Sequence, residues 1–152
     1  KASSYETNKF GNTTESAKLT KENADKRTKK YIELKKDIEK NFDMIKVHGK
    51  KISKNLIIGW GSTKGAILDA TKNLDAKFLQ VLYVKPLSKK IKREMQKAKN
   101  IILVENNQTG QLGRLLREKT GISIKEKNRI LKYDGRPFWT DELKKEIVRR
   151  LK

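Results

Sequence analysis

The chain has no cysteine, which removes disulfides, thiolate nucleophiles, zinc ribbons and cysteine-held iron–sulfur clusters from its repertoire. It has a single histidine, His48, so imidazole-dependent triads and histidine-rich metal sites are also out of reach. His48 stands beside Gly49, ahead of the first strongly apolar segment, where a structural or exposed role is expected. Aromatic residues make up only 7% of the chain and show no paired motif of the kind that stacks RNA bases. No apolar run approaches the ~20 residues of a membrane span, and the first residues lack the apolar core of a signal peptide. A soluble, cytoplasmic protein with no membrane partner is therefore expected.

Negative charge is scarce too: 38 Lys and Arg stand against 18 Asp and Glu, a net charge of +20. Such a balance admits nucleic acid, an anionic membrane surface or an acidic protein as partner. The bases are mostly lysines, however, spread along every segment and interleaved with acids, without an arginine cluster or a glycine-rich basic tail. That distribution reads as a solvated surface, so nucleic acid is not the expected partner. A stand-alone basic module binding nucleic acid or a small anionic ligand is the alternative. With 152 residues the chain can bury one ordinary core. It begins with Lys rather than Met, so a piece of a longer chain is expected.

What is present is an alternation of strand and helix signals. Residues 1–19 are polar and read as a linker; from Thr20 to Asn41, Tyr31, Leu34 and Ile38 recur at helical spacing, continued by Phe42 and Ile45. Residues 1–45 are thus expected to form a linker and amphipathic helix, and residues 46–152 an α/β domain. Met44–His48 offers a short edge strand. Strands are expected at 55–58, 77–84, 101–104 and 129–133, with Pro86 ending the second of these. Helices are expected at 66–74, at 88–99 behind the cap Ser88, from Gly110 to Gly121, and from Thr140 onward. This order implies a three-layer α/β/α fold: a mostly parallel sheet with right-handed crossovers and helices on both faces.

Two turns carry the candidate chemistry. Gly59-Trp60-Gly61-Ser62-Thr63-Lys64-Gly65 has the spacing G-x-G-x-x-x-G, and no acid ends the next strand to hold a ribose. Its lysine precedes the last glycine, unlike the Walker arrangement. What remains is a tight structural turn with Ser62 or Thr63 as helix cap; Gly59, Gly61 and Gly65 are its candidates for holding an anion. The second turn follows the buried run Ile101–Val104: Glu105, Asn106, Asn107, Gln108 and Thr109 lie just past a strand's carboxyl end, where open α/β sheets gather their working groups. Thr109 is the expected cap of the next helix, in which Leu112, Leu115 and Leu116 form the apolar stripe. Trp60, Ser62, Thr63, Glu105, Asn106, Asn107, Gln111 and Arg136 are the candidate rim or interface. No residue takes a catalytic or metal-binding role.

The second turn also carries a resemblance. VENNQTGQLGRLLRE, at Val104 to Glu118, resembles the VENN-x-x-GQ segment near the end of the alpha subunit of 2-oxoacid:ferredoxin oxidoreductases. IIGWGSTKGAI at Ile57 to Ile67 and RILKYDGRPF at Arg129 to Phe138 match in the same order, and the likeness spans nearly the whole chain. The resemblance implies a transketolase C-terminal-domain-like module of an enzyme that converts a 2-oxoacid, coenzyme A and oxidised ferredoxin into acyl-CoA, carbon dioxide and reduced ferredoxin. In that enzyme thiamine diphosphate with magnesium carries the decarboxylation and iron–sulfur clusters take the electrons. This chain has neither cluster cysteines nor a recognisable diphosphate–magnesium motif, so no cofactor is expected on it and the isolated chain is expected to be inactive. Its expected partners are the other domains and subunits of the oxidoreductase, with ferredoxin and coenzyme A met through the whole enzyme. Glu105, Asn107 and Gln111 could hydrogen-bond across such a contact or hold their own turn; the contact predicts that changing Glu105 and Gln111 leaves the isolated domain's stability unaltered. By the same resemblance, Tyr5 to Gly11 corresponds to the connection out of the cofactor-binding domain, and lacks the histidine and second acid found there.

Overall fold

The computed structural model describes residues 5–151. It falls into two compact units, residues 1–42 and 43–152. Of the polar first segment, residues 1–4 lie outside the described residues, as does the terminal Lys152.

The first unit is more ordered than a linker. Strands β1 (Glu6–Thr7) and β2 (Thr13–Thr14) pair antiparallel, closed by a turn in which Gly11 has a φ of 80°. Helix α1 (Ala17–Asn41) begins earlier than the apolar periodicity indicated, because Ser16 accepts a hydrogen bond from the Leu19 amide and starts the helix ahead of its apolar residues. The Arg27 guanidinium grips both Glu6 oxygens, at 2.6 and 3.0 Å, and holds that carboxyl below its usual range. No residue of α1 is buried.

The second unit contains β3 (Ile45–Gly49), β4 (Asn55–Trp60), α2 (Lys64–Thr71), β5 (Lys77–Val81), α3 (Lys89–Lys97), β6 (Asn100–Glu105), α4 (Gln111–Thr120), β7 (Arg129–Leu131) and α5 (Thr140–Leu151). The sheet order is β3-β5-β4-β6-β7, parallel throughout except for the edge strand β3, which runs antiparallel to β5. Alternate residues of each strand face opposite layers, as the pleat requires. Leu56, Ile58, Leu79 and Leu103 meet Ile91 and Met95 of α3 and Leu112 and Leu116 of α4. Ile57, Phe78, Ile102 and Val104 meet Ile67 and Ala70 of α2 and Leu143 and Ile147 of α5. The three-layer, mostly parallel architecture expected from the sequence is therefore present.

Three elements end sooner than the apolar pattern runs. β5 stops at Val81 because its neighbours stop there: Ile45 and Trp60 are its last partners, and the Leu82 and Tyr83 amides turn to the single carbonyl of Met44. β7 stops at Leu131, opposite Glu105, the last residue of β6. α2 gives out at Thr71, before Asn73 adopts a φ of 67°. The apolar residues beyond the two strand ends, Leu82, Val84 and Tyr133, are exposed.

The amino end of the sheet is closed by its own bonds. Asn100 Nδ2 donates to Asn55 Oδ1 (2.8 Å), and Asn55 Nδ2 and Ser53 Oγ both donate to the Asp75 carbonyl. On β5 the buried Lys77 ammonium donates to Glu94 of α3 at 2.6 Å. This bond from Lys77 holds the Glu94 carboxyl below its ordinary value against the opposing effect of burial, with help from Lys97. His48 stacks on Phe78 at 5.5 Å and shares a 3.1 Å hydrogen bond with Gln80, a structural setting on the edge strand.

Candidate functional site

The chain leaves β4 toward one face of the sheet, into α2, and leaves the adjacent β6 toward the other, into α4. Two parallel neighbours whose connections part in this way open a crevice at their carboxyl ends, the position where open α/β sheets receive ligands and partners. Trp60 ends β4 and Glu105 ends β6, so both expected turns meet at this crevice.

Glu105 is fully buried. Its Oε1 accepts from Trp60 Nε1 (3.2 Å), Asn107 Nδ2 (2.9 Å) and the Leu112 amide (2.9 Å), and its Oε2 accepts from the Gly113 amide (3.2 Å). A buried carboxylate is costly unless its oxygens are occupied, and here donors from β4, the turn and the first turn of α4 occupy them. The amides of Leu112 and Gly113 are among the donors that a helix start leaves without intrahelical partners, and the helix dipole favours a carboxylate there. Asn107 supports the same end of the helix: its Oδ1 accepts from the amides of Thr109 (3.2 Å), Gly110 (2.7 Å) and Gln111 (3.2 Å). Thr109 is therefore not the cap that its position suggested. The residue at that place is Gly110, left-handed at φ 62°, and the capping oxygens come from Glu105 and Asn107.

Gly113, inside α4, lets the helix approach the sheet: a Cβ there would lie 2.6 Å from Leu103 Cδ2. A glycine within an amphipathic helix was the visible signal for this contact. Gly59 has the matching role on the other strand, since its Cβ would lie 2.4 Å from Ile67 Cδ1 and 2.9 Å from Thr63 Oγ1.

The first turn is not built as one glycine cradle. Gly59 lies within β4, Gly61 opens a 3-10 turn at φ 56°, and Gly65 already belongs to α2, with open space where its Cβ would stand. Neither Ser62 nor Thr63 caps α2 through its side chain; Thr63 Oγ1 instead donates back to the Trp60 carbonyl at 2.8 Å, locking the turn.

The rim residues thus divide. Glu105 and Thr63 lie beneath the surface, Trp60 and Asn107 are half-buried, and Ser62, Asn106, Gln111 and Arg136 are exposed. Ser62, Asn106 and Arg136 line a recess of 640 Å³ together with Lys132 and Phe138. Lys132, which sequence reasoning did not single out, follows directly on β7 and pairs with Asp134 at 2.9 Å. The Asp134 carboxyl is held below its usual range by Lys132, and also by the Arg136 amide. A larger recess of 830 Å³ runs along β7 toward α5, and two of the arginines that line it are held by partners within the chain. Arg129 donates to the Ile124 carbonyl, and Arg150 donates to Glu146 and to the Lys127 carbonyl.

No family model matches the chain. Its architecture is that of an open α/β domain with a polar rim at the strand ends, and it superimposes with a TM-score of 0.77 on a 2-oxoglutarate:ferredoxin oxidoreductase from Magnetococcus marinus. That likeness covers 99% of this chain and 26% of the other at 21% identity, and so concerns the fold. Sequence relatives carry the identification. The chain is 35% identical over 148 residues to the alpha subunit of the 2-oxoacid:ferredoxin oxidoreductase of Saccharolobus solfataricus, covering 93% of this chain and 23% of that one. It is 34% identical over 131 residues to the corresponding alpha subunit 1 of Sulfurisphaera tokodaii, covering 84% and 20%. The chain belongs to the 2-oxoacid:ferredoxin oxidoreductase alpha-subunit family, and spans about a fifth of the length of these curated relatives.

The iron–sulfur clusters and magnesium that the resemblance implies can be set against the donors present. There is no thiolate for an iron–sulfur cluster, and among the described residues no group of three or more His, Asp or Glu is placed to hold a magnesium ion. Among the described residues no helix is long and apolar enough to cross a membrane.

Proposed function

We propose that the chain is the C-terminal structural and assembly domain of a thiamine-diphosphate-dependent 2-oxoacid:ferredoxin oxidoreductase alpha subunit. In this reading residues 46–152 dock on neighbouring domains and subunits and residues 1–45 link them to the rest of the subunit, in the cytoplasm. The thiamine, magnesium and cluster chemistry, and the encounter with coenzyme A and ferredoxin, belong to other parts of that enzyme. The observation that carries the proposal is the division of labour at the crevice. Glu105 spends its bonds inside the chain, pinning the start of α4 to β4 and β6, while Asn106 and Gln111, which follow it, are exposed. A rim fixed in this way loses little freedom on docking, which favours association.

The test is association of the chain with the remainder of the oxidoreductase, followed by calorimetry or size exclusion. Asn106→Ala combined with Gln111→Ala is expected to weaken association about tenfold while leaving the isolated chain's melting temperature unaltered. Unchanged association in that variant would contradict the reading.

A further inference from the structure

The recess between the β4 turn and the residues after β7 is lined by charges of a single sign. Lys132 and Arg136 line it and no acid does, whereas the larger recess along β7 carries Glu126, Glu142 and Glu146. The Asp134 carboxylate is engaged by Lys132 and by the Arg136 amide and is not part of the lining. Ser62 contributes a hydroxyl and Asn106 an amide from the turns that follow β4 and β6. The rings of Tyr133, Pro137 and Phe138 add apolar surface to the lining, on a loop turned by Gly135 at φ 77°. At 640 Å³ the recess has the size of an ordinary small-molecule site, and its lining combines apolar rings with a few polar groups.

We propose that this recess binds a phosphate-bearing small molecule, with the phosphate between Arg136, Lys132, Ser62 and Asn106 and a flat apolar body against Tyr133 and Phe138. Arginine offers a fork of donors that matches phosphate oxygens, and lysine adds a point charge at the cost of loosening its pairing with Asp134. The site lies where the strand connections part, the general position for ligands in this architecture. The recess shares Asn106 with the assembly role, which otherwise rests on Gln111, so the variant that tests the recess is placed at Arg136.

The experiment uses the full 152-residue chain and titrates it by calorimetry with ADP, pyrophosphate and adenosine. Binding of ADP more tightly than pyrophosphate, with adenosine silent, is expected; adenosine binding as well as ADP would overturn the role given to the cations. Because the chain carries +20, anions will also gather on its surface without a site. Arg136→Ala is therefore compared with Lys92→Ala on the distant α3. The first is expected to weaken ADP about tenfold and the second to leave it unchanged. Equal losses in the two variants, or no binding above that of the surface, would overturn the proposal. Amide resonances of Ser62, Asn106 and Gly135 are expected to move on ADP addition; movement confined to other residues would also overturn it.

Discussion

Trp60 and Glu105, the last residues of adjacent parallel strands, are joined by an indole-to-carboxylate hydrogen bond of 3.2 Å. This bond ties β4 to the start of α4 through a single buried side chain. Glu105→Gln replaces one of the accepting oxygens by an amide donor facing other donors, and is expected to destabilise the isolated chain by about 1 to 3 kcal/mol. Trp60→Phe removes one donor and is expected to cost about 1 kcal/mol, with coupling between the two in a double-mutant cycle. Denaturant midpoints measure both. A midpoint unmoved by Glu105→Gln would show that the carboxylate is not the cap of α4.

The glycines divide by what surrounds them. Gly113→Ala drives a methyl to within 2.6 Å of Leu103 and is expected to cost about 1 to 3 kcal/mol. Gly65→Ala meets open space in the first turn of α2 and is expected to stabilise by about 0.5 to 1 kcal/mol. Thermal melts of the two variants should therefore shift in opposite directions.

Core truncations follow burial rather than residue type. Ile102→Ala and Leu116→Ala, at fully buried positions, are expected to lose about 2 to 5 kcal/mol. Leu115 is only partly buried against the same core and is expected to lose less. Equal losses at Leu115 and Leu116, read from urea midpoints, would contradict the assigned face of α4.

The Lys77–Glu94 pair gives a pH dependence with a definite sign. Glu94 has its carboxyl held below its ordinary value of 4.5, chiefly by the Lys77 hydrogen bond, so the folded state resists protonation more than the unfolded one. The pair's contribution is therefore present above that value and is lost as pH falls through the lower, folded one. Glu94→Gln, which leaves the buried Lys77 without its counter-charge, is expected to cost about 3 kcal/mol at neutral pH. The gap from the unmodified chain should narrow as pH falls below 4.5. A gap that is constant down to about pH 3 would contradict the pairing.

Strand and helix order, the edge strand before Gly49 and the two-faced burial of the sheet were legible from the apolar pattern, because strands covered by helices on both sides read as continuous aliphatic runs. The hairpin of Glu6–Thr7 with Thr13–Thr14 was not, since its residues are polar and it is closed by a turn and by Arg27, a contact far along the chain. At the rim the sequence placed the right residues together but not their depth. Glu105 looked like the other polar residues that follow Val104, and only the return of α4 over β6 shows that it is buried. Lys132 escaped notice for a related reason: its place at the crevice follows from β7 lying beside β6, a pairing between residues distant in sequence.

The central claim, that this chain supports a catalyst whose cofactors lie elsewhere, is tested most directly by 2-oxoacid-dependent reduction of a viologen dye, with coenzyme A, thiamine diphosphate and magnesium supplied. The chain alone is expected to give no turnover, and the remainder of the oxidoreductase is expected to gain turnover when the chain is added back. Turnover by the chain alone, or a remainder equally active without it, would contradict the account.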